Sequence, residues 1–563
     1  MRHNQLNICA SIKRELGPGF IFIPHMTDTD AINATSRSLR QAWGLDFGRV
    51  RALIARLDAW HTHDELVDGT GLSHRSVGQV LHALDTWLEK DGDRLRLAAA
   101  DLAAFRTASA PHIKPHPPHI ARQRLAALLA DRPAPDLDLD HVAATAETLL
   151  KRAQHIAATY DLTGAQILCL GDHDLTSLAL ACLLPDLRIA VADLDERLLA
   201  FIDHSAHAHK LDITTHFADF RLELPPSLDS SCDLVFTDPP YSPDGIKLFL
   251  QRGIAALKDH PYVRLLLAYG FSEQHPGLGY KVQSALHDLR LTSESILPDF
   301  NRYDGARAIG ARSALYTLRP TRRSRPAAVA KMGAPHSGAA RIYTHGRSAE
   351  EAQATVPVKS TEAIPGEWPA RATLLVGEWP QEKQATAKRL ALASYLTASR
   401  TDGPLRVQHL ALQLAPHYDA YLPRLLLASQ AQTVLAIVDQ RHATELTGPL
   451  LALIECKYRL VSRTNKQHIA WILCEKQPTP YEDAPRFVLR HIADRPKARL
   501  ANAWREGLIA WHKKQGTTLT KNQARALISQ TRIGALCGQH YLTELPLHSL
   551  ADLIAAAKAT IAD

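Results

Sequence analysis

The chain has 563 residues, 46% of them hydrophobic, and carries a formal net charge of +7; this suits a globular protein of roughly two to four domains, each with its own core. Arg2, His3, Asn4, Lys13, Arg14 and Glu15 interrupt the first twenty residues, and no later run is apolar enough to span a bilayer, so a cytoplasmic protein without a membrane partner is expected. The seven cysteines (Cys9, Cys169, Cys182, Cys232, Cys456, Cys474 and Cys537) stand singly with no C-x-x-C pair, which fits neither a disulfide framework nor a thiolate zinc site.

Residues 1–44 read as an N-terminal extension, and residues 45–110 as a winged-helix domain. Val50, Leu53, Ile54 and Leu57 recur at helical spacing, Thr62 and Glu65 have the spacing of a capping box, and Gly69 and Gly71 supply a turn. Ser73 is placed to cap a further helix with Val77, Leu81, Leu84 and Leu88 on one face, and Asp91-Gly92 turns the chain into a wing at Arg94–Leu97. Winged helices serve packing and dimerisation as well as DNA binding, so nucleic acid is a partner to consider but not the favoured one. Residues 111–140 read as a linker that opens on the proline-stiffened PHIKPHPPH at Pro111 to His119, whose histidines are expected to be solvated and not to bind metal.

Residues 141–320 alternate strand and helix like a doubly wound sheet of the methyltransferase type. The strands are expected at Ile167–Leu170, Ile189–Ala192, Thr214–Phe217, Leu234–Thr237 and Arg264–Ala268, with Leu291–Leu297 and Ser313–Leu318 as a closing pair. Residues 321–369, rich in Arg, Pro, Ala, Ser and Gly, read as a basic flexible linker. Residues 370–563 form an additional α/β domain that becomes mainly helical, with strands at Thr373–Val376, Val434–Val438, Tyr458–Val461 and Ile469–Leu473. It reads as a degenerate second Rossmann-like unit, to which no chemistry is assigned. The fold class is therefore α/β: a winged helix, a central methyltransferase-like Rossmann fold and a further α/β domain.

Ligands of an open parallel sheet bind at the carboxyl ends of its strands, so Gly171-Asp172-His173-Asp174, Asp193-Leu194-Asp195-Glu196 and Asp238-Pro239-Pro240-Tyr241 are expected to converge on one cleft. From Asp161 to Gly245 the basic residues are Arg188, Arg197, Lys210 and Arg221, so the region is acidic and suits a cationic substrate better than a phosphate backbone. Asp193 and Asp195 stand where Rossmann folds place a carboxylate for ribose hydroxyls, although an acid there also caps a helix; Asp219 is a similar candidate for the adenine end. Glycine-rich first turns receive anionic groups, whereas carboxylates after Gly171 would repel the methionine carboxylate of S-adenosylmethionine and accept the bare ammonium of its decarboxylated form. Asp174, and still more Asp172, has a second reading as a helix cap. Asp238-Pro239-Pro240-Tyr241 resembles the D/N-P-P-Y signature of methyltransferases that act on amino nitrogens: the acid and a rigid carbonyl accept hydrogen bonds from the attacking nitrogen while the ring packs on a planar or cationic group.

With these motifs the chain resembles the branched-chain polyamine synthase family, the N4-bis(aminopropyl)spermidine synthases. The resemblance rests on ATAETLLKRA at Ala144 to Ala153, ILCLGDHDLTSLALA at Ile167 to Ala181, IAVADLDERLLAFI at Ile189 to Ile202, DPPYSPDGIKLFLQRG at Asp238 to Gly253 and NRYDGARAIGARSALYTL at Asn301 to Leu318. It implies a winged-helix domain, a catalytic Rossmann domain, a homodimer and successive aminopropyl transfer to the internal nitrogen of spermidine. The family's Gly-Asp-Asp-Asp motif places the group that assists the attacking amine at Asp174. His173 departs from that motif and brings an imidazole that titrates near neutral pH.

The expected reaction is displacement at the carbon beside the sulfonium of decarboxylated S-adenosylmethionine, the co-substrate, without a metal. Asp174 and Asp238 are the expected catalytic residues, with Gly171, Asp193, Asp195 and Asp219 at the donor. Asp172, His173, Pro239, Pro240 and Tyr241 are expected to hold the polyamine. Two rivals are an S-adenosylmethionine-dependent amino-group methyltransferase on nucleic acid or protein, and a non-catalytic winged-helix regulator that senses polyamines.

Overall fold

A computed structural model describes residues 28–305, 311–332, 342, 371–377, 379, 387–401, 407–414, 416–439, 446–466, 469–479 and 482–561. The chain divides after His112 into two compact units.

In the first unit, α1 (Asp28–Trp43) and α2 (Phe47–Arg56) precede the short β1 (His61–Thr62), α3 (His63–Thr70) and α4 (His74–Leu84). A hairpin of β2 (Leu88–Asp91) and β3 (Arg94–Leu97) then leads to α5 (Ala99–Ala108), and the strands form one sheet in the order β1-β3-β2. Thr62 and Glu65 close both halves of the capping box, and Ser73 caps α4. Gly69 lies inside α3, so the left-handed turn falls to Gly71 alone, at φ 61°. The segment read as an extension, 1–44, is in part integral: Ile32, Leu39 and Trp43 of α1 are buried, and Arg40 donates to the carbonyls of Ser109 and Ala110. Residues 1–27 lie outside the described residues.

The second unit begins within the expected linker 111–140. Residues Pro118–Leu129 of that linker form α6, because Ala121, Leu125 and Leu128 give it an apolar stripe to bury. After α7 (Ala146–Thr159) the first large sheet is laid down by β4 (Gln166–Leu170), α8 (Thr176–Leu183), β5 (Arg188–Asp193), α9 (Glu196–His209), β6 (Ile213–Phe217) and β7 (Leu234–Thr237). It is completed by α10 (Pro243–Ala256), β8 (Arg264–Tyr269), α11 (Pro276–Asp288), β9 (Leu291–Arg302) and β10 (Arg312–Pro320). The strand order is β6-β5-β4-β7-β8-β10-β9, parallel from β4 to β8, with β10 antiparallel to both neighbours. That is the methyltransferase-type order. The inner strands read as unbroken apolar runs because helices cover both faces: Ile167–Leu170 and Arg264–Tyr269 are buried throughout. The chain leaves β4 toward β5 on one side and returns as β7 on the other, which opens a crevice above the carboxyl end of β4.

The segment 321–369 was expected to be a flexible linker, yet α12 (Ser324–Met332) packs on α10, and Ile342 is buried with its carbonyl bonded to Ser242 Oγ at 2.8 Å. The rest of that segment lies outside the described residues. A second sheet follows from β11 (Leu374–Gly377), β12 (Lys388–Leu390), α13 (Leu392–Thr401), β13 (His409–Gln413), α14 (Leu422–Ala428), β14 (Thr433–Asp439), α15 (Gly448–Glu455), β15 (Tyr458–Lys466) and β16 (Ile469–Lys476). Its order is β12-β11-β13-β14-β16-β15, with β16 antiparallel to β14 and β15. Among the described residues the first sheet is thus repeated strand for strand, apart from a counterpart of β6. Helices α16 (Ala484–Ala493), α17 (Leu500–Lys514), α18 (Lys521–Gln530), α19 (Arg532–Cys537) and α20 (Leu547–Ala559) close the chain.

This C-terminal region packs against β6 and α9 of the first sheet. His540 Nε2 donates to the Thr215 carbonyl at 3.1 Å, and its ring stacks on that of His216 at 3.9 Å. Both imidazoles are buried, and burial lowers each to about 3. No described helix is long and apolar enough to cross a membrane.

Candidate active site

The turn after β4 is held rigidly by its own backbone. Gly171, at φ 69°, donates to the Ala192 carbonyl, and Leu175 N donates to the Asp172 carbonyl at 2.7 Å. Leu175 itself sits at φ 68°, a conformation that costs an L-residue about 1–2 kcal/mol. Its complete burial and that hydrogen bond hold it there.

Three neighbouring side chains leave this turn in three directions. The Asp172 carboxylate turns toward α8 and accepts the Ser177 amide at 3.2 and 3.3 Å, so of the two acids weighed as helix caps it is Asp172 that bonds the first turn of α8. Burial, reinforced by Asp174 and Asp193 and only partly offset by Ser177, pushes Asp172 up to about 7. His173 stacks on His141 with centroids 4.6 Å apart and meets the Val142 carbonyl at 3.2 Å. Burial opposes its charge, but the carboxylates of Asp174, Asp238 and Asp193 outweigh burial and raise its pKa; burial and the His173 charge bring His141 down to about 3. Asp174 points to α7: Oδ1 accepts the Ala144 amide at 2.7 Å and Oδ2 accepts Arg152 Nη1 at 2.7 Å.

Arg152, a residue that motif reading did not single out, is the centre of the site. It is fully buried, and each guanidinium nitrogen has a partner: Nε donates to Asn301 Oδ1 at 2.8 Å, Nη1 to Asp174 and to Thr176 Oγ1, and Nη2 to Asp238 Oδ2 at 2.7 Å and to Tyr303. The guanidinium also lies 4.8 Å from the Phe236 ring centroid. Burial works against its charge, but Asp174, Tyr303 and Asp238 more than compensate, so it stays a cation. The charge tally from Asp161 to Gly245 ended nine positions short of this residue. Its signal lay in ATAETLLKRA, where an arginine falls among apolar positions of an amphipathic helix, and in the NRY that supplies Asn301 and Tyr303.

Asp238 follows β7 and completes the arrangement. Oδ2 accepts from Arg152 and from the Tyr303 hydroxyl at 2.7 Å, and Oδ1 accepts from the Tyr241 hydroxyl at 3.0 Å. Tyr241 and Tyr303 share a 2.9 Å hydroxyl contact, and the Tyr241 ring meets Tyr269 edge-on at 5.4 Å. Pro239 and Pro240 are buried. A Cβ on Gly245 would lie 2.9 Å from the Pro240 carbonyl oxygen, so this position in the first turn of α10 accepts little more than glycine. Asp174 and Asp238 titrate together. Burial opposes the charge on both, yet His173 and Arg152 hold Asp174 below the usual carboxylate range, while the Asp174 charge adds to burial and pushes Asp238 above it.

The donor candidates lie on the neighbouring strand ends. Asp193 is buried and accepts the amides of Asp172 at 2.9 Å and Asp195 at 2.8 Å, so its carboxylate ties the first turn to the second. Asp195 caps α9 and pairs with Arg197 at 2.7 Å. Asp219, two residues past β6, is paired with Arg221 at 2.6 Å. The structure therefore unites Asp174, Asp238, Tyr241 and, at 3.6 Å from Asp174, His173 around Arg152, and sets Asp172 and Asp193 behind them as supports of the turn. Among the described residues, the group of histidine and acidic side chains close enough to share an ion is His63, Asp64 and His74 in the first unit.

Residues 121–331 match the model of the branched-chain polyamine synthase A C-terminal domain. By sequence, the region that builds this site is similar to that domain. It is 32% identical over 188 residues to the N(4)-bis(aminopropyl)spermidine synthase of Thermus thermophilus, covering 33% of this chain and 54% of that protein. An uncharacterized protein of Methanocaldococcus jannaschii is 37% identical over 178 residues, covering 32% and 44%. The chain thus spans about half the length of these curated relatives. A solved structure of the Thermus thermophilus branched-chain polyamine synthase, in complex with N4-aminopropylspermidine and 5'-methylthioadenosine, aligns at 23% identity over 58% of this chain and 99% of that one, with a TM-score of 0.34.

Proposed function

We propose that the chain transfers an aminopropyl group from decarboxylated S-adenosylmethionine to an amine nitrogen of a polyamine such as spermidine, with release of methylthioadenosine. The observation that carries this reading is the pairing of Asp174 and Asp238, at the carboxyl ends of adjacent parallel strands, across one buried guanidinium and beside Tyr241. The match of residues 121–331 to a polyamine synthase domain supports it.

In this reaction the lone pair of a neutral amine attacks the carbon next to the sulfonium. A C–N bond forms, the C–S bond breaks with its electrons going to sulfur, and the new ammonium then loses a proton. Asp174, held ionised, stabilises the charge that develops on nitrogen. Asp238, whose basicity is raised, receives the proton through Oδ1, the oxygen that meets the Tyr241 hydroxyl and not Arg152. Tyr241 covers a methylene stem or a cationic nitrogen. The donor lies across Gly171, Asp193, Asp195 and Asp219, in the crevice that opens beside β4. The first unit acts as a winged helix, with its β2-β3 hairpin as the wing.

Purified protein incubated with decarboxylated or ordinary S-adenosylmethionine and a panel of polyamines tests the reading by product mass. Methylthioadenosine together with a polyamine heavier by one or two aminopropyl groups is the expected result. Methylated product would replace this reading with an amino-group methyltransferase, and binding without turnover would replace it with a polyamine sensor.

A further inference from the structure

Among the described residues the second sheet repeats six of the seven strands of the first in the same order, which fixes a correspondence between their loops. In the first sheet the strand beside the central one, β7, is followed by Asp238-Pro239-Pro240-Tyr241 and α10. In the second, β13 holds that place beside β11, and the residues that follow it lead through a short helical turn at Pro416–Tyr421 into α14. An aromatic, Tyr418, again lies just past a proline, Pro416, but no acid precedes that proline as Asp238 precedes Pro239; the acid of this loop, Asp419, comes after the ring.

That loop faces the first copy. The Tyr421 hydroxyl accepts the Asp219 amide at 3.0 Å, and its ring meets Phe217, the last residue of β6, edge-on at 5.0 Å. The Tyr418 ring lies 5.1 Å from the guanidinium of Arg221, which itself grips the Asp219 carboxylate. From α14, the fully buried Arg424 stacks on Phe217 at 3.6 Å and donates to Glu196 at 2.5 Å, while Leu547 N donates to the other Glu196 oxygen at 2.8 Å. Glu196 adjoins Asp195. Both loops that carry donor candidates after β5 and β6 are therefore held from outside by the turn at Pro416–Tyr421 and α14, with the start of α20 joining at Glu196.

We infer that the C-terminal region is a second copy of the catalytic fold whose own site loop has become a clamp on the donor loops, with Tyr421 and Arg424 as positioning residues that set nucleoside affinity. This rests on the donor assignment above. The clamp holds the Asp219 backbone in place before the ligand arrives, so that binding does not have to order it. Its loss should appear in donor affinity and leave the polyamine step untouched.

The test uses the full chain, Tyr421→Phe, and Tyr458→Phe as a control. Tyr458 bonds through its hydroxyl to the Ala431 carbonyl at 2.8 Å in the same region but touches neither donor loop. Calorimetry with 5'-methylthioadenosine should show Tyr421→Phe binding about 5- to 10-fold more weakly, the loss of one hydrogen bond, and donor KM should rise alike while kcat and polyamine KM hold. Tyr458→Phe should bind as the wild type does. Hydrogen exchange should show the Asp219 amide protected in the wild type and exposed in Tyr421→Phe, a readout that needs no ligand. Equal nucleoside binding by Tyr421→Phe and wild type, or equal weakening by both variants, overturns the inference. A wild type that binds no nucleoside overturns the donor assignment itself, and the clamp with it.

Discussion

Nη1 of Arg152 donates to Oδ2 of Asp174 across 2.7 Å, with both side chains closed off from solvent. Breaking a buried pair from one side leaves the other charge stranded, which typically costs about 3–5 kcal/mol. Here two carboxylates would be stranded, because Arg152 also holds Asp238. Arg152→Met should lower unfolding free energy by an amount of that order in a denaturant titration, and adding Asp174→Asn should restore part of it. A single variant as stable as wild type would show that the pair contributes nothing.

Asp174→Asn alone should keep donor affinity and lose turnover by about 10²- to 10⁴-fold, the usual span for a group that handles charge or a proton in the transition state. Equilibrium binding of methylthioadenosine separates the two effects. Unchanged turnover removes Asp174 from the chemistry.

Asp172 gives stability a pH dependence with a definite sign. An acid raised to about 7 on folding binds its proton more tightly in the folded state, so its contribution is lost as pH rises from about 4, its unfolded value, toward 7. Asp172→Asn keeps an acceptor for Ser177 and cannot ionise. Thermal melts at pH 5 and pH 8 should differ less for the variant than for the wild type, and the variant should be the more stable at pH 8.

His173 should mark the pH profile of acceptor use. Its raised pKa leaves a cation beside Asp174 at the lower end of the neutral range, where it repels an incoming ammonium. Polyamine kcat/KM should therefore climb as the ring loses its proton, and in His173→Asn that inflection should vanish while the titration of the amine substrate remains. Identical profiles would show that the imidazole has no part in acceptor binding.

All seven strands of the first sheet, and the ends of β4, β5 and β7 where the acids sit, were legible in the sequence. A buried parallel strand announces itself as an apolar run closed by a polar turn. The direction in which each acid points was not legible. Asp172 and Asp174 are two residues apart, yet one faces α8 and the other α7, a divergence that no propensity indicates. Arg152 escaped because a local charge tally cannot see a helix that folds back over the cleft. In the second sheet, β12 and β13 went unforeseen: three-residue β12 is too short to show a period, and β13 carries a polar residue at each end. The clamp depends on contacts across some two hundred positions, which single-chain patterns do not encode.

The bond from His540 to the Thr215 carbonyl has a bearing on what this protein can join. Thr215 lies on β6, the terminal strand of the first sheet, so its carbonyl there is taken by the chain's own C-terminal region. An incoming strand would have to displace His540 at that margin. Extended segments from another chain are left with the opposite border, along Leu291–Arg302, where Ile296 already shows 46% of its surface to water.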